Sequence, residues 1–174
     1  MERSYEPNKV NEQVGENMTT NYLQIMIDSL EKKKDILVKI ISLNETQDEI
    51  LSREELNQDA FENNMHDKGE CIDELEKLDE GFQSVFDRIK EELSNNKQLY
   101  SNAIESMKKL IKEVTELGAR IEVQESRNKV KVEAMFRKQR QEHKEAKRSA
   151  SMAKSYYQNM SRVSDEPQFM DTKQ

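Results

Sequence analysis

From Tyr22 onward, apolar residues recur at steps that a helix brings onto one face. Leu23, Ile27, Leu30, Leu37, Ile41 and Leu51 follow alternating steps of four and three, with Lys34, Asn44 and Asp48 at the skipped positions. Ile36, Ile40 and Leu43 widen the stripe. Residues three and four apart share one side of an α-helix, so the spacing predicts an amphipathic helix over 20–51. Its N-cap candidates are Thr19, Thr20 and Asn21. A second run at the same spacing holds Phe61, Met65, Ile72, Leu75, Leu78, Phe82, Val85, Phe86, Ile89 and Leu93, which predicts a helix over 58–94. A third passes through Leu99, Ala103, Met107, Leu110, Ile111, Val114, Leu117 and Ile121. Beyond Ile121 the stripe thins to Val130, Val132, Met135 and Phe136 while charge density rises, and the helix is expected to continue from 97 to 160.

The breaks between these runs carry capping chemistry. Ser52-Arg53-Glu54-Glu55 has the form of a capping box, and Asn57-Gln58-Asp59 offers a second site, so a turn is expected within 52–59. Ser94-Asn95-Asn96 marks the second turn, within 94–97. Gly69 and Gly81 fall inside the second run, either as room for a neighbouring helix or as plain weak spots. Residues 1–18 contain Pro7 and Gly15 and show no period, which reads as a disordered leader; 161–174 read as a flexible tail. Long helices joined by short turns must run antiparallel to their chain neighbours to bury their stripes. The expected fold is all-α: an elongated antiparallel helical hairpin or three-helix, coiled-coil-like bundle, in one domain over 19–160 with disordered termini.

Composition sharpens this picture. Charged residues make up 36% of the chain and apolar residues 34%, so a core many layers deep is excluded while narrow helical seams remain affordable. The two prolines, Pro7 and Pro167, leave the intervening chain free to be helical. One cysteine, Cys71, forbids an internal disulfide and fits a reducing, cytoplasmic setting. The start Met1-Glu2-Arg3-Ser4-Tyr5 lacks the apolar run of a signal peptide. The richest apolar stretch, Ile36 to Leu43, is far shorter than the ~20 residues that span a bilayer, so no membrane insertion is expected. The net charge of −7 is unevenly spread. Residues 127–154 carry ten Lys and Arg against three acids, which makes that segment +7 and the remainder −14.

Candidate chemistry is sparse. His66 and His143 are far apart and lack neighbouring ligands, and a zinc site needs several. Cys71, among acids, reads as structural. The acids Asp73, Glu74, Glu76, Asp79 and Glu80 read as a solvated face, and scattered glycines build no phosphate loop. Catalytic, metal and cofactor sites are therefore all expected to be absent, and the chain is not read as an enzyme. The basic segment 127–154 is the one feature that points to a polyanion, yet Phe136 is its only aromatic, which argues against a nucleic-acid stacking platform. An acidic protein partner, or pairing with the acidic first helices, remains open. Tyr156, Tyr157 and Met160 follow the small residues 149–153 and have no evident core to enter.

Several blocks carry a family resemblance. Lys68-Gly69-Glu70-Cys71-Ile72-Asp73-Glu74-Leu75, then Leu78-Asp79-Glu80-Gly81-Phe82, resembles the second helix of FlgN-type flagellar export chaperones. Asn21-Tyr22-Leu23-Gln24-Ile25, Ile121 to Lys129, Tyr156 to Met160 and Phe169 to Lys173 are similar to segments of the same group, so the resemblance covers roughly 20–174. Much of the match is heptad-like spacing, and the FliT-type chaperones are an equally helical sister class. The resemblance implies a cytosolic chaperone of type III flagellar export. Such proteins hold hook-filament junction or filament-cap subunits through a helical groove and hand them to the export apparatus. Helix-in-groove recognition uses apolar anchors at i, i+3, i+4 and i+7. The expected partner surface is Val132, Met135, Phe136, Tyr156, Tyr157 and Met160, with Arg137, Arg140, Lys144 and Arg148 steering an acidic partner. Two other readings stand beside it: a structural coiled-coil adaptor or homodimer, and a helical protein bound non-specifically to nucleic acid through 127–154.

Overall fold

The computed structural model describes the backbone of residues 7–164 and the side chains of residues 15–155. The described chain is all-α: α1 is Pro7–Leu51, α2 is Gln58–Asn95 and α3 is Ser101–Ser164. Two compact units divide it, Met1–Lys129 and Val130–Gln174, and α3 contributes to both.

Helix limits follow local chemistry. α1 starts at Pro7, so residues 7–18 are helical where a leader without structure was expected. Proline suits a first helical position, because its fixed φ is already helical and it lacks an N–H that would have no partner there. Thr20 does not cap; its hydroxyl donates back to the Glu16 carbonyl at 2.8 Å inside the helix. The Ser52 box is not an N-cap either. Ser52 closes α1, its N–H and hydroxyl both donating to the Asp48 carbonyl at 3.0 and 2.7 Å. The second site is used instead: Asn57 is extended, and its side-chain oxygen accepts from the Ala60 N–H at 3.0 Å. The second turn lies slightly later than expected, over 96–100, and its Tyr100 plugs the core end. Residues 1–6 and 165–174, which include most of the expected tail, lie outside the described residues.

Within Met1–Lys129 the three helices alternate direction, and the seams stack in layers along α1. The first layer holds Leu23, Met26 and Leu30 against Ile89, Leu93, Tyr100 and Met107. The second holds Ile36, Leu37, Ile40 and Cys71, backed by Val114, Leu117 and Ile121. Full burial of each such side chain stabilises the fold by roughly 1.5–3 kcal/mol before entropy is counted. The third layer is polar: Asn44, Gln47, Asn64, Lys68 and Asn128 are all buried. The Asn128 amide donates to the Asn44 carbonyl at 2.9 Å and to Gln47 Oε1 at 3.1 Å. The Asn64 amide donates to the Leu43 carbonyl at 2.8 Å, and Lys68 pairs with Glu125 at 2.6 Å while also donating to Gln47 at 3.2 Å. A buried polar layer of this type fixes helix register, because a slip leaves its donors unpaired.

Charged side chains also bridge the helices. Lys32 meets Glu74 at 2.8 Å, Lys34 meets Glu113 at 2.6 Å, Arg120 meets Glu45 at 2.9 Å, and Lys33 pairs with Asp79. A Cβ placed at Gly69 or Gly81 meets nothing within 4 Å, so neither glycine makes room for a helix of this chain.

Candidate functional site

The basic stretch expected from the sequence lies on α3, largely within the unit Val130–Gln174. Its helical backbone sets the side-chain positions by period alone. Arg137, Arg140, Lys144, Lys147 and Arg148 fall within about a third of the helix circumference. Glu142 lies on the opposite side and pairs with Lys138 at 3.7 Å, while Glu145, nearer the basic face, accepts from Gln141 at 3.2 Å. Every residue from Phe136 to Ser155 is exposed. Among the described residues, none of those five cations has an ion-pair or hydrogen-bond partner.

Phe136 borders the basic face. It is 43% exposed, and it lines a shallow furrow with Gln139, Arg140, His143, Lys144 and Lys147. The furrow is a stripe at i, i+3, i+4, i+7, i+8 and i+11 from Phe136, an apolar anchor followed by hydrogen-bond donors. Val132 and Met135 are half-buried, so they offer less free surface than Phe136. The backbone of Tyr156, Tyr157 and Met160 is helical, but their side chains lie outside the described residues. The structure therefore brings Phe136, Arg140 and Lys144 together, with Arg137 and Arg148 at the far edge of the basic face. Gln139, His143 and Lys147 were not among the expected residues. Helical spacing from Phe136 was the signal that would have found them.

The site has a donor-rich, cationic chemistry. Cys71 is buried in the second core layer, away from solvent. Among the described residues no group of three His, Cys, Asp or Glu is placed to hold a metal ion. No described helix is long and apolar enough to cross a membrane. What the surface offers is recognition: an aromatic edge and extended cations suited to carboxylates. Comparison with protein-family models, with curated proteins and with solved structures finds no match for this chain.

Proposed function

We propose that this chain is an export chaperone for flagellar subunits, of the FlgN type, acting in the cytoplasm on hook-filament junction or filament-cap proteins. The observation that carries the reading is the exposed stripe on α3, with Phe136 beside Arg140 and Lys144 and no partner for its cations among the described residues. An amphipathic terminal helix from an exported subunit has the complementary form. Its apolar anchors would cover Phe136, and its carboxylates would meet the cations, which also speed encounter. The resemblance of 68–82 and 121–129 to these chaperones selects that partner from among acidic helices in general.

The test is co-expression with each hook-associated and cap subunit, followed by capture and limited proteolysis. The expected result is a complex with one subunit whose terminal segment becomes protease-resistant. Phe136→Glu with Arg140→Glu should abolish capture while helicity is retained, since both residues are exposed. Failure to retain or protect any such subunit would overturn the proposal.

A further inference from the structure

A groove between α1 and α2 is separate from the surface on α3. Its walls are Ile25 and Met26 of α1 and Leu78, Gly81, Phe82 and Val85 of α2, and it has a volume of about 350 Å³. That lies within the range of small-ligand pockets, which in bundles form between helices. Met26 is buried in the first apolar layer and gives the groove a fixed floor, whereas Ile25 is 52% exposed at its open side. Gly81 keeps one wall low. A Cβ there meets nothing within 4 Å, so a larger side chain would project into free space in the groove. Glycine weakens a helix interior relative to alanine, and no contact within this chain requires it at 81.

The occupant is defined by where the charge sits. Lys32 and Lys77 line the groove, and Lys32 meets Glu74, one turn from Lys77, at 2.8 Å, so both lysines stand at one end. Because α1 and α2 run antiparallel, Ile25 and Val85 lie toward the other end. Asp73 and Glu80 lie one turn from Lys77 along α2, yet Lys77 forms no ion pair among the described residues. An apolar trough with cations at one end takes a molecule with an apolar body and a single anionic end. A peptide helix fits less well, since acids along its length would pass Asp28 on the rim. From Lys77 to Val85 α2 rises about 12 Å, the length of an extended chain of about ten carbons. We infer that the groove binds a medium-chain fatty acid, its alkyl chain along Met26, Gly81 and Phe82 and its carboxylate at Lys77 and Lys32. Such a ligand contacts both α1 and α2 and stabilises the first unit by mass action. The inference is independent of the flagellar reading, which rests on α3.

The experiment is calorimetric titration of the full chain with decanoate, below the concentration at which it forms micelles. Saturable one-to-one binding is expected, and the same ligand should raise the unfolding temperature. Hexanoate should bind at least about tenfold more weakly, because each buried methylene contributes up to about fourfold. Decyltrimethylammonium, with the same chain and a cationic head, should bind at least about fivefold more weakly than decanoate. Three variants of exposed residues locate the site. Gly81→Leu should abolish binding while the free chain unfolds at the same temperature or higher, because leucine fills the groove and favours the helix. Lys77→Glu should weaken decanoate at least about fivefold with helicity unchanged. Arg140→Glu with Lys144→Glu, on the basic stripe of α3, should bind decanoate as the native chain does. Absence of saturable binding, equal binding of the cationic amphiphile, retained affinity in Gly81→Leu or Lys77→Glu, or loss in the α3 variant would each overturn the inference. Use of the groove by a peptide helix instead would appear as absence of decanoate binding.

Discussion

The two lengths of α3 differ in what they do with the same helical period. Up to Lys129 its inward face carries Met107, Leu110, Val114, Leu117 and Ile121, and these pack into the two apolar layers. Past Phe136 the same face continues as Gln139, His143, Ala146, Ala150 and Ala153, and every residue there is exposed. The charges follow suit. Lys32, Lys34, Lys68 and Arg120 in the first unit meet carboxylates on neighbouring helices, whereas Arg137, Arg140, Lys144, Lys147 and Arg148 meet none among the described residues. One length of the helix is thus satisfied internally. The other keeps the shape of a helix while its side chains from Phe136 to Ser155 stay open to solvent, a form suited to the recognition proposed above.

The strongest way to break this comparison is to truncate one side chain in each length. Met26 is 1% exposed in the first apolar layer, and Met26→Ala should cost about 2–5 kcal/mol by lost transfer and cavity terms. Phe136→Ala removes a larger side chain yet should change stability by no more than about 0.5 kcal/mol, because that side chain is exposed. Urea denaturation of the two variants reads both values. Equal losses would mean that Phe136 is part of a core after all.

A smaller effect is expected at the polar layer. Asn128→Ala removes hydrogen bonds at 2.9 and 3.1 Å, and should destabilise by about 1–2 kcal/mol. The loss is limited because Gln47 Oε1 still accepts from Lys68. If the layer sets register, Asn128→Leu should be the more informative change: stability is kept or raised, but amide spectra of the α1 and α3 layer residues broaden. Sharp, native-like spectra would remove the register role.

How far the chain could be read from its residues depends on which interactions obey a period. Helix bodies did, because Leu23 to Leu51 and Phe61 to Leu93 each repeat the burial signal many times. Single positions did not. Asn44 looked like a gap in the stripe, and it is among the most buried residues of the molecule. Lys34 looked like another gap, and it reaches Glu113 on α3. Both are seam positions whose partners lie on another helix, which spacing within one helix leaves unseen. The start of α1 was missed for a different reason: Pro7 begins a helix as readily as it breaks one, and residues 7–18 have no apolar stripe to declare which. For the candidate site, helical spacing already grouped Arg137, Arg140, Lys144 and Arg148, and exposure then separated Phe136 from the half-buried Val132 and Met135.

Glycine sharpens the comparison from the side of α2. Gly69→Ala should stabilise the isolated chain by about 0.5–1 kcal/mol, since the added methyl meets nothing and a helical alanine loses less backbone entropy. Thermal unfolding reads the gain, and a loss of stability instead would show that the space at position 69 is needed.

The smallest effect concerns acid. The Lys34 ammonium beside Glu113 holds that carboxyl below its ordinary value, and Lys32 does the same for Glu74. A carboxyl with a lowered folded pKa adds stability that is complete above its unfolded pKa and is lost as pH falls through the folded one. Both unfolded values lie near 4.5, so the contribution is intact at neutral pH and drains away in the range below that value. Glu113→Gln with Glu74→Gln should therefore lower stability slightly at pH 7 and flatten its fall below about pH 4.5. The shift at neutral pH should be small, because both pairs are partly open to solvent. Urea denaturation of the double variant across that pH range reads the change. An acid limb as steep as that of the native chain would remove the role of these two pairs.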